Sequence, residues 1–175
     1  MIDELATGLQ SSFVPAPQVL DVLVLGLGNT LLSDDGVGVH VVRQLASDPD
    51  MPPGLHPVDG GTLGFRLLAT LTQATAVVIV DAAELGEASG TVRMFDQPSL
   101  AERVSRGGRM SAHEAGLLDL LTLAHLERWS PARLALLGIQ PARIDWGERL
   151  SAPVARALPL ACRAIVQTAL SWQAA

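Results

Sequence analysis

At 175 residues the chain is long enough for one well-buried core and too short for two ordinary domains. Its residues are 49% apolar and only 17% charged, which excludes a disordered chain, and a net charge of -6 argues against nucleic acid, whose phosphates call for a basic face. The single cysteine, Cys162, cannot close an intrachain disulfide, so a reducing compartment is the simpler setting.

Residues 1–20 carry acids where a signal peptide carries bases and lack a continuous apolar run. They are expected to form a polar extension ahead of a single α/β domain over 21–175. No apolar stretch approaches the roughly 20 residues a membrane span needs, so a cytoplasmic protein without a membrane partner is expected. VLVLGLG (22–28) is almost wholly apolar and ends in glycines, as a strand buried on both faces does. The next stretch, from Asp35 to Ala46, has apolar residues at helical spacing and acids at its start, where a helix dipole favours them. LHPV (55–58) runs into Asp59-Gly60-Gly61-Thr62, and FRLLATL follows with a second helical pattern. The run AVVIV (76–80) stops at Asp81, and TVRMF (91–95) alternates as a more exposed strand does. A helix is predicted from Ser111 to about Glu127, a last strand over 134–139, a loop over 139–150 and a closing helix over 151–172. Cys162 falls on the apolar face of that helix as a buried structural thiol.

Strands alternating with helices predict a three-layer α/β sandwich: a twisted, mainly parallel sheet of about five strands with helices on both faces. In such sheets ligands bind beyond the carboxyl ends of the strands. Three segments fall there, Gly26–Asp35, Asp59–Thr62 and Asp81, and each carries an aspartate.

Gly26-Leu27-Gly28 suggests a dinucleotide loop, but Leu31 stands where the third glycine of that motif belongs, and no Walker lysine follows. A tight turn after a buried strand is the competing reading. Asp34 and Asp35 suit capping and dipole complementation, yet two adjacent acids do not both cap well. Asp81 ends a buried strand, where a charge is costly unless paired, hydrogen-bonded or bound to a cation. His113 lies near a helix start. His40, His56 and His125 form no zinc-protease pair, and a G-x-S-x-G elbow is absent. What remains is two or three aspartates with one imidazole, a set suited to a divalent transition metal with open positions.

Taken together, LGLGNTLLSDDGVGVHVV (25–42), VDGGTLG (58–64), VIVDAAELG (78–86), MSAHEAGL (110–117) and GIQP (138–141) resemble the hydrogenase maturation protease family, in order, from about Val22 to Pro159. The resemblance implies an endopeptidase that removes a C-terminal extension from the large-subunit precursor of a nickel–iron hydrogenase after nickel insertion. It assigns nickel contacts to Asp35, Asp81 and His113. Many relatives carry Glu at the first of these positions, so Asp35 is one methylene shorter. Asp59 and Asp81 are the carboxylates considered for general-base chemistry, beside activation of water by nickel itself. The expected partner is the nickel-loaded precursor. No permanent cofactor is expected, because the substrate supplies the nickel, and the chain is expected to be a monomer. SAHEAGL and IDWGERLS are expected to help choose the partner. The rival readings are a hydrolase with its own metal, a nickel-binding assembly chaperone without peptidase activity, and a nucleotide-binding module.

Overall fold

In the computed structural model, residues 21–62, 66–99, 102 and 113–174 are described. The expected extension over 1–20 and the start of the predicted helix at Ser111 lie outside them.

The two strands richest in apolar residues form the middle of the sheet. β1 (Val22–Leu27) and β3 (Ala76–Ala82) are buried at every position, as strands covered on both faces must be. β2 (Leu55–Gly61) flanks β1, β5 (Arg133–Ile139) flanks β3, and β4 (Val92–Asp96) closes the far edge, giving the order β2-β1-β3-β5-β4. All pairings are parallel except β4 with β5. The alternating run at 91–95 is therefore the antiparallel edge, where a half-exposed strand belongs.

Helices cover both faces. α1 (Val37–Ala46) and α4 (Ala152–Gln173) pack over Val22, Val24, Val78 and Val80. α2 (Arg66–Leu71) and α3 (Glu114–Leu126) supply Leu71, Leu120 and Ala124 to the opposite face, against Leu23, Leu25, Val77 and Ile79. The predicted three-layer architecture is the observed one.

Two boundaries differ from expectation in ways that shape the site. The first helix does not begin at Asp35; Ser33–Gly36 form a 3-10 turn and α1 starts at Val37. Both acids are therefore buried in the turn, with Asp34 at 0% and Asp35 at 3% exposure, instead of standing in a solvated first turn. β3 also continues past Asp81 to Ala82, so the carboxylate sits within the sheet, opposite Gly138 of β5.

α1 lies unusually close to the strands because a glycine faces them. A methyl group on Gly38 would stand 2.1 Å from the Val80 carbonyl oxygen and 2.4 Å from that of Leu27. At Gly28, with φ +130°, it would stand 2.0 Å from the carbonyl oxygen of Asp35. Gly28 thus serves the turn itself. The space a phosphate would need there holds the chain's own backbone, and the dinucleotide reading loses its motif. Cys162 is half-buried against the core under α1, its thiol 3.9 Å from the Val41 carbonyl. Burial, and then the charge of Asp48, raise its pKa, as fits a structural thiol.

Candidate active site

The strand order reverses beside β1: β2 lies on one side of it and β3 on the other. Loops leaving β1 and β3 therefore part and leave a crevice at their carboxyl ends, the usual ligand position in open α/β sheets. Asp35 leaves β1 through the 3-10 turn, and Asp81 stands at the end of β3.

The adjacent acids turn in different directions. Asp34 accepts the backbone N–H groups of Ala142 at 2.9 Å, Arg143 at 3.2 Å and Ser151 at 2.7 Å. A buried carboxylate with three such donors is satisfied, and its work is to hold the 140–151 loop and the start of α4. Asp35 instead accepts the N–H of Asn29 at 3.0 Å and faces His113, whose Nε2 lies 3.6 Å from its Oδ2. That separation is an ion-pair distance, not a hydrogen bond.

His113 is the residue immediately before α3, and its side chain is only 10% exposed. Its Nδ1 lies 3.2 Å from Asp81 Oδ1, which also accepts the N–H of Ala82 at 2.9 Å. An ionised carboxylate only accepts, so Nδ1 carries the proton in this contact. Nε2, on the side of Asp35, is then the nitrogen a cation can reach without breaking that bond. The hydrogen bond to Asp81 raises the imidazole pKa above 6.5, helped by the charges of Asp81 and Asp35 and opposed by burial.

The structure thus brings together Asp35, Asp81 and His113 from three separate segments. Each ring nitrogen faces a different carboxylate. Among the described residues, no group of three His, Cys, Asp or Glu side chains stands arranged to hold a metal ion. A metal contacting all three side chains would compete with a proton for Nε2 of His113.

Asp59 does not join them. It pairs in register with Gly26, which pairs with Val80, so its side chain shares the face of α1 and α4. Asp81, one residue beyond Val80, points to the other face. The Asp59 carboxylate is bound by Arg43 of α1 at 2.9 Å and by the N–H of Gly61 at 3.0 Å. The Asp59–Gly61 bond is that of a tight turn.

Gln140, in the GIQP segment, braces the loop next to the site. It is 6% exposed, its Oε1 accepts the Leu85 N–H at 2.7 Å, and its Nε2 donates to Glu84 at 3.2 Å. It clamps the loop that follows Asp81. The signal was available: a polar residue directly after a buried strand follows the same logic as Asp81.

Comparisons with known proteins match the chain as a whole. The family model described as HycI, hydrogenase maturation protease, matches residues 39–168. The chain is similar to the hydrogenase expression/formation protein HupD of Rhodobacter capsulatus, 35% identical over 91% of this chain and 76% of that protein. Among solved structures it is similar to the hydrogenase maturating endopeptidase HybD of E. coli, at TM-score 0.75 and 27% identity, covering 85% of this chain and 91% of the other. It is also similar to the NiFe hydrogenase maturation protease HybD of Thermococcus kodakarensis, at TM-score 0.74 and 32% identity, covering 86% and 99%.

Proposed function

This chain belongs to the hydrogenase maturation protease family, and on that premise we propose that it reads nickel carried by its substrate before cutting. The chain is a hydrogenase maturation endopeptidase, a hydrolase acting on a peptide bond of a hydrogenase large-subunit precursor. The chaperone reading is not favoured, since the solved relatives are named proteases and endopeptidases.

The observation that carries the nickel reading is the convergence of Asp35, Asp81 and His113 at the crevice beside β1. Two carboxylates and one imidazole leave positions on a transition metal for ligands from another protein. In this account the precursor's nickel is held by Asp35, Asp81 and Nε2 of His113. The scissile bond of the C-terminal extension is thereby positioned, and cleavage reports that nickel loading is complete. The chain holds no permanent cofactor and acts as a monomer in the cytoplasm, with no nucleic acid partner, as a net charge of -6 favours.

Of the two carboxylates considered as general base, Asp81 is the one in the cluster. Asp59 is held by Arg43 on the other face, and its support for that role is weaker. Water activated by nickel needs neither carboxylate as base.

The test is incubation of the purified chain with nickel-loaded and nickel-free precursor, read as the mass of the large subunit. The expected result is loss of the C-terminal extension only from the loaded form. Equal cleavage of both forms overturns nickel recognition. Elemental analysis of the resting protein is expected to find no stoichiometric metal; a bound equivalent would favour a hydrolase carrying its own.

A further inference from the structure

Most exposed apolar side chains on a soluble protein are scattered and need no explanation. Here three of the seven large ones among the described residues share one place: Leu31 is 49% exposed, Ile144 53% and Trp146 83%. Leu31 belongs to the loop after β1, and Ile144 and Trp146 to the loop after β5. The two loops are joined along their backbones. Gly147 donates to the Leu31 carbonyl at 2.9 Å, Ser33 donates to the Gly147 carbonyl at 2.6 Å, and Leu32 and Gly147 form a bridge. The Ser33 hydroxyl is 2.7 Å from the Asp145 carboxylate. Beneath them, buried Asp34 accepts three backbone N–H groups of the second loop.

Residues 142–149 are thus exposed without exception yet pinned at both ends by one buried carboxylate. A loop fixed in this way presents its side chains with little ordering entropy left to lose, which favours binding. Tryptophan is also the residue type most enriched where binding energy concentrates. Asp34, which holds this loop, precedes Asp35, which faces His113, and consecutive Cα atoms are about 3.8 Å apart. What docks on the loops is therefore held at a fixed offset from Asp35.

We propose that the joined loops carrying Leu31, Ile144 and Trp146 are a docking ledge for the folded body of the hydrogenase large-subunit precursor, through an apolar patch on that partner. The proposal rests on the substrate reading given above. Leu31 lies four residues before Asp35 in the loop after β1, so a protein docked on the ledge is anchored to the segment that carries Asp35. The ledge's charged side chains, Arg143, Asp145, Glu148 and Arg149, are of both signs and exposed, as on the rim of a protein interface. An anionic membrane selects basic residues alone.

The experiment compares cleavage of nickel-loaded precursor by the wild-type chain, Trp146→Ala and Leu170→Ala, the last an exposed apolar control on α4. Trp146→Ala is expected to raise KM about tenfold, equivalent to about 1.4 kcal/mol, with kcat retained. Leu170→Ala is expected to leave both unchanged. In the wild type, tryptophan emission shifts to the blue on adding precursor, and Trp146→Ala loses that shift. An unchanged KM in Trp146→Ala, with the wild type cleaving, overturns the ledge and leaves the nickel reading standing. An equal rise in Leu170→Ala also overturns it, as does a wild-type dimer that Trp146→Ala dissociates. Failure of the wild type to cleave loaded precursor overturns the substrate reading and the ledge with it.

Discussion

The two helices nearest the site, α1 and α3, are buried to different degrees. On α1, Val37, Val41, Val42 and Leu45 are at most 2% exposed, and Gly38 lets the helix rest on strand carbonyls. On the other face of the sheet, α3 buries Leu120 and Ala124 but leaves Leu118 44% and Leu126 73% exposed. The site draws on both sides. Asp35 hangs from the turn that leads into α1, and Asp81 from the buried strand between the faces. His113 stands just before α3, the less buried of the two helices. Asp35 and Asp81 are therefore fixed in the most buried part of the fold, and His113 at the edge of a more exposed one.

The largest expected effect probes the more buried helix. Gly38→Ala pushes a methyl group into two backbone oxygens that cannot move alone, and a cost above about 4 kcal/mol is expected. Circular dichroism should show no cooperative melt near the wild-type temperature; a near-normal melt would mean α1 can retreat. Asp34→Ala comes next. It strands three backbone N–H groups, at a cost of about 3 kcal/mol once some reach water, read as a lower urea midpoint. A loss below about 0.5 kcal/mol, typical of a plain surface site, would show that the loop holds without it.

His113 gives a smaller effect with a distinctive pH signature. Its folded pKa is raised above 6.5, so its contribution to stability is full below about 6.5 and is lost as pH rises through the folded value. The wild type should exceed His113→Gln in melting temperature at pH 6, and the gap should narrow with rising pH. A gap independent of pH would detach the imidazole from its carboxylates. Leu126→Ser, on the exposed side of α3, should change stability by no more than about 0.5 kcal/mol, and a larger loss would erase the contrast between α1 and α3.

Much of this was legible in the residues. Unbroken apolar runs at 22–27 and 76–80 gave the central strands, because only a strand covered on both faces dispenses with alternation. Asp81 was legible for the same reason: a charge at the end of such a run needs a partner. The division of labour between Asp34 and Asp35 was not. Neighbouring side chains diverge according to a local turn, and that 3-10 turn depends on Gly147 and Asp145, more than 100 residues away. Asp59 stands apart from the trio although DGG follows a strand as Asp81 does. Strand alternation, fixed only by register, sends it to the other face. His113 was identifiable through family resemblance alone, since nothing local distinguishes a histidine beside a helix start. Gln140 followed the rule that revealed Asp81, but an uncharged amide in a strand-end motif gave a weaker signal than a buried charge.

The most direct test compares four single variants, Asp35→Ala, Asp81→Ala, His113→Ala and Asp59→Ala, in cleavage of nickel-loaded precursor, each checked for an intact melt. The exposed Arg43–Asp59 pair is worth no more than about 1 kcal/mol, so Asp59→Ala should stay folded. The account predicts that the first three lose processing and that Asp59→Ala retains it. Processing that survives in folded His113→Ala, or is lost in folded Asp59→Ala, would contradict it.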